Sequence, residues 1–156
     1  MDCLENSPGD WLANARNDFG QRFARVLRQS WDRNVSDHLA AFPLESAAPE
    51  ADLRKAYGTT VALALVFQGQ VFAGTIGDST VFLVRQEAGV PTAVDLLAGE
   101  NGAGPGLTTD SLASSDAVYK WKHQTLPLDE VRMVMAATDG FADSLADPKG
   151  TLLALQ

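Results

Sequence analysis

One cysteine, Cys3, stands in a chain of 156 residues. A lone thiol rules out an internal disulfide framework and fits a reducing cytoplasm. Histidine is nearly as scarce. His38 and His123 are far apart and share no ligand spacing with a cysteine, which argues against zinc. His38 falls in a helical stretch and His123 beside two lysines, so both read as surface residues. Basic residues are outnumbered, 12 Lys and Arg against 20 Asp and Glu, for a net charge of −8. Such a surface suits neither DNA nor RNA, whose phosphates call for a basic footprint. It still admits a phosphorylated substrate, provided that cations neutralise the acids around it. No apolar run reaches the roughly 18 residues of a membrane span. Residues 1–10 also lack the basic start and apolar stretch of a secretory signal. The expectation is a cytoplasmic protein that neither enters a membrane nor binds nucleic acid.

What is present reads as globular. Apolar residues make up 46% of the chain and charged residues 21%, and the length suits one domain with a core of its own. Pro8-Gly9-Asp10 resembles a helix start with Asp10 as N-cap. From Trp11 and Ala15 through Phe19 and Phe23 to Val35 and Leu39, apolar residues recur at helical spacing. This predicts one amphipathic helix over residues 11–41, bent at Gly20 and ended by Phe42-Pro43. Its polar face carries Arg16, Arg22, Arg25, Arg28 and Arg33, read as a solvated face. Residues 51–57 form a short helix closed by Gly58. The period then changes. Residues 61–67 are apolar on both faces, as in a strand covered on both sides. Gln68-Gly69 makes a two-residue hairpin turn, residues 71–76 return, and residues 80–85 add a third strand. This predicts a three-strand antiparallel meander. Residues 98–116 read as a long loop, 118–126 and 131–137 as two more strands, and Phe141 as the start of a helix. No repeat or linker divides the chain.

The stretch from Glu130 to Asp143 concentrates the chemistry. An apolar strand runs into Asp139-Gly140, and Asp143 follows four residues later. Upstream, the apolar strand from Gln70 to Ile76 ends in Gly77-Asp78-Ser79. Asp-Gly and Gly-Asp-Ser are also common turn sequences, because Asp bonds nearby backbone and Gly supplies positive φ. Two buried strands that each end on an aspartate point instead to a carboxylate metal site. With no histidine or cysteine among the donors, the favoured ions are Mg²⁺ and Mn²⁺. Such an ion would also relieve repulsion between Asp139 and Asp143, about 0.2–0.5 kcal/mol when exposed.

Taken in order, Tyr57-Gly58-Thr59-Thr60, Gly77-Asp78-Ser79 and Thr138-Asp139-Gly140-Phe141-Ala142-Asp143 resemble the type 2C family of metal-dependent serine/threonine protein phosphatases. The run from Thr109 to Ala117 and the helix bearing Trp31 are similar to a divergent bacterial branch. The resemblance spans about residues 15–147. It implies an α+β fold: an α-β-β-α sandwich of two antiparallel sheets flanked by helices. It also implies two Mg²⁺ or Mn²⁺ ions bridged by water at one edge of the sandwich. Asp139 would ligate one of them. Asp139, Asp78 and Asp143 would surround a third, weaker metal position. The metals would lower the pKa of the bridging water and neutralise the phosphate. No covalent intermediate is implied, and no catalytic residue beyond the metal ligands. The implied substrate is a phosphorylated protein, with a serine/threonine kinase as counterpart.

The chain also departs from the family pattern. Nothing before Trp11 matches the phosphate-binding Arg or the Asp-Gly-x-Gly-Gly turn of the family's first strands. The chain reaches Gln156 without the family's last Asp-Asn or Asp-Asp ligand pair. The expectation is therefore a single, partial domain over residues 1–156, with exposed strand edges and an incomplete two-metal centre. Two functional readings follow: a protein phosphatase, or a pseudophosphatase that keeps the fold as a binding module. A third, an unrelated α+β protein with structural Asp-Gly turns, must treat the ordered motifs as coincidence.

Overall fold

A computed structural model describes residues 8–43, 50–97 and 110–155. Cys3 and most of the anticipated loop, residues 98–109, lie outside the described residues. The amphipathic stretch folds as one helical rod in three parts. Helix α1 spans Pro8–Asn17, a π-helical turn spans Asp18–Arg22, and α2 spans Phe23–Ala41. The rod opens at Pro8, whose missing N–H costs nothing in a first turn. Asp10 is therefore inside the helix and not its cap, a correction to the sequence reading. Gly20, where a bend was expected, lies in the π-turn. There the Trp121 indole N–H donates to the Phe19 carbonyl at 3.0 Å. The His123 ring sits so close over Gly20 that a Cβ would come within 2.6 Å of it. An outside donor competing for a helix carbonyl is a recognised cause of such irregularity. Helix α3 is short, Glu50–Lys55.

Among the described residues, six strands form two antiparallel sheets. The first holds β1 (Val61–Phe67), β2 (Gln70–Ile76) and β5 (Lys122–Pro127), in the order β1-β2-β5. The second holds β3 (Thr80–Glu87), β4 (Val90–Asp95) and β6 (Val131–Ala137), in the order β4-β3-β6. The anticipated meander is thus overturned at its third strand. The Gln68-Gly69 hairpin joins β1 to β2 as expected. Residues 77–79 then carry the chain out of the first sheet, and β3 pairs with β4 and β6. Helix α4 (Asp139–Ser144) follows β6, and α5 (Pro148–Ala154) closes the described chain.

Side-chain alternation sorts the core into three layers. Phe72 and Ile76 of β2 face the helical rod, packing with Phe19, Ala24 and Trp121. Val71 turns the other way, meeting Leu83 of β3 and Leu126 of β5 between the sheets. Phe82 and Val84 point out of the second sheet onto Leu152 of α5. Helix, sheet, sheet and helix therefore stack as an α-β-β-α sandwich. One strand differs from its reading. β1 was expected to be covered on both faces, but as an edge strand it leaves Leu65, Val66 and Phe67 about half exposed. The strand expected over residues 118–126 is β5 preceded by a 3₁₀ turn, Ala117–Lys120.

Candidate functional site

Antiparallel pairing gathers the motif-bearing segments. β1 begins beside the end of β2, with Val61 opposite Ile76. β3 begins beside the end of β6, with Thr80 opposite Ala137. Only residues 77–79 separate β2 from β3. The four strand ends therefore meet at one end of the sandwich, and with them residues 58–60, 77–79 and 138–140. A fourth segment is tied to the same place: the Leu112 N–H donates to the Thr59 carbonyl at 2.9 Å.

The turn that carries Asp78 is held on both sides. Gly77 adopts φ +94°, a left-handed conformation open to glycine. A Cβ there would stand 2.5 Å from the Asp110 carbonyl oxygen and 2.6 Å from Thr60 Cγ2. Ser79 is buried, and its hydroxyl donates to Thr60 Oγ1 at 2.9 Å. Between these fixed neighbours Asp78 is exposed. The second aspartate segment starts two residues after the last pair of the β3–β6 ladder. Asp139-Gly140 opens helix α4, with the Thr138 carbonyl accepting from the Phe141 N–H at 3.2 Å. Position 143 follows one helical turn later. The side chains of Asp139 and Asp143 lie outside the described residues. Among the described residues, no group of three or more His, Cys, Asp or Glu side chains could hold a metal ion.

Helix α2 braces this end from outside. The Arg28 guanidinium donates to the Ser114 carbonyl and pairs with Asp32 at 3.0 Å. Arg54 of α3 also meets Asp32, at 3.3 Å. The Trp31 indole N–H donates to the Tyr57 carbonyl at 3.2 Å, just before residues 58–60. The arginine face read as solvated thus has one member, Arg28, that ties the rod to residues 111–117. Sequence reasoning missed this brace, and it assigned no part to the Asp110 carbonyl over Gly77. Neither leaves a local signal, because both join residues more than 30 positions apart. An apolar groove of about 450 Å³ lies elsewhere, between the rod and the hairpin end of β1. Its lining includes none of the aspartate segments.

A family model described as protein phosphatase 2C matches residues 4–155, nearly the whole chain. No curated protein and no solved structure gives a significant match.

Proposed function

The chain belongs to the protein phosphatase 2C family, and from that membership we propose that it is a metal-dependent protein serine/threonine phosphatase. It would hydrolyse phosphoserine or phosphothreonine by direct attack of activated water. The observation that best supports this is the meeting of the Asp78 turn and the Asp139 segment at one end of the sandwich. Asp139, Asp78 and Asp143 would hold Mg²⁺ or Mn²⁺ there. The donor chemistry fits, since carboxylates alone favour hard cations. The two histidines are engaged elsewhere. His123 covers Gly20 on the helix side, and His38 bonds the Tyr57 hydroxyl at 2.9 Å. A bound ion supplies Lewis-acid activation of water and neutralises phosphate charge.

The chain's own residues do the rest. Asp78 is exposed at the end of its strand, as a phosphorylated side chain on a large substrate requires. With 20 acids against 12 Lys and Arg, the chain's net charge opposes a phosphate, and a bound cation would offset that. We place the activity in one domain spanning the chain, in the cytoplasm, opposite a serine/threonine kinase. Among the described residues no helix is long and apolar enough to cross a membrane.

Calorimetric titration with Mn²⁺, followed in parallel by para-nitrophenyl phosphate turnover, tests this reading. Saturable binding with turnover that EDTA abolishes is the expected result, and it would overturn the expectation from sequence that the two-metal centre is incomplete. Binding without turnover would point to a pseudophosphatase, and no binding by folded protein would remove the metal-dependent mechanism.

A further inference from the structure

Asp78 is held by its neighbours, and a single side chain touches both of them. The Thr60 methyl lies beneath Gly77, filling the space a Cβ would need, 2.6 Å from where it would stand. The Thr60 hydroxyl accepts the Ser79 hydroxyl proton at 2.9 Å. Thr60 comes from the opposite side of the junction, one residue before β1 begins. Ser79 is only 7% exposed, so its hydroxyl has little access to water if that acceptor is lost. A buried polar group deprived of its partner drives local rearrangement to recover one. The backbone that would rearrange is the turn that aims Asp78.

From this we infer that Thr60 is a positioning residue for Asp78, an inference that rests on the metal-site reading above. Its hydroxyl and methyl have separable roles: the hydroxyl fixes Ser79, and the methyl packs under Gly77. Groups that orient a metal ligand without touching the ion commonly change affinity by about 10–100-fold when removed. A residue that only stabilised the strand end would lower the melting temperature and leave ion affinity in the folded protein unchanged.

The test is a double-mutant cycle in Mn²⁺ affinity, read from the electron paramagnetic resonance signal of free Mn²⁺. The variants are Thr60→Val, Thr60→Ser, Ser79→Ala and Asp78→Asn, with Thr60→Val also placed in the Asp78→Asn background. Thr60→Val keeps the branched shape and loses the hydroxyl, and should weaken Mn²⁺ binding about tenfold. Thr60→Ser, which restores the acceptor, should recover most of that loss. In the Asp78→Asn background Thr60→Val should have no further effect, because the ligand it positions is gone. Ser79→Ala reports on the same bond should Thr60→Val fail to fold. It removes the hydroxyl that would otherwise be left stranded, so its loss should be smaller than that of Thr60→Val. Wild-type affinity in folded Thr60→Val would overturn the positioning role while leaving the metal site standing. An equal loss with and without Asp78 would overturn it too, since the effect would not pass through that ligand. Absence of Mn²⁺ binding in the wild type would overturn the metal site, and the positioning role with it.

Discussion

Gly74 lies in the middle of β2 with the Trp121 ring over it, so close that a Cβ would come within 2.1 Å. The ring needs that space because it is wedged between the sheet and the helical rod. Its indole N–H reaches the Phe19 carbonyl, and its ring centroid lies 5.5 Å from those of Phe19, in an edge contact, and Phe23, in a tilted one. Gly74→Ala should therefore cost about 1–3 kcal/mol by overpacking, measured by urea unfolding. Trp121→Phe keeps much of the apolar body but drops the hydrogen bond, and should cost at least about 1 kcal/mol. At this scale the sequence was informative about the acids and silent about the supports. Asp78 and Asp139 announce themselves by following apolar runs. Nothing local distinguishes Gly74, which needs to be small, from a glycine in any strand.

The link between β2 and β3 shows what patterning can and cannot decide. Alternation marks where one strand ends and the next begins, but three intervening residues serve a hairpin or a change of sheet equally well. The choice is made by β6, which pairs with β3 from some fifty residues further on. β4 went unread for a different reason. It is an edge strand with Pro91 at its second position, where a missing N–H is tolerated. It is also introduced by Ala88-Gly89, without the Asn or Asp that usually signals such a hairpin. Ala88 takes φ +49°, which a Cβ resists and asparagine tolerates better. Ala88→Asn should raise stability by about 0.5–1 kcal/mol in a urea titration. Arg28→Ala should speed amide exchange across residues 111–117 while leaving the β3–β6 ladder protected. Arg28→Lys should not restore protection, since an ammonium cannot span both Asp32 and the Ser114 carbonyl as a planar fork does.

Across the whole molecule, two sheets packed face to face and covered by helices place four strand ends together. Residues far apart in sequence thereby come to share one surface. The layering was legible through the family resemblance, whereas the one run read as covered on both faces, residues 61–67, is a half-exposed edge strand. The partition of strands between the sheets was not legible, because it depends on contacts that only folding creates. Leu83, fully buried between the sheets, reports on this arrangement. Leu83→Ala should cost about 2–5 kcal/mol, seen as a lowered urea midpoint. On the proposed reading, the Asp78 turn and the Asp139 segment form a metal site that hydrolyses phosphoprotein. Phosphate release from a phosphothreonine peptide in Mn²⁺ measures this most directly, comparing wild type with Asp78→Asn and Asp139→Asn. The expected result is EDTA-sensitive turnover in the wild type that falls in Asp139→Asn by more than the about 10–100-fold that loss of an outer partner costs, and by a smaller factor in Asp78→Asn. Turnover that survives EDTA, or that neither substitution reduces, would contradict the claim.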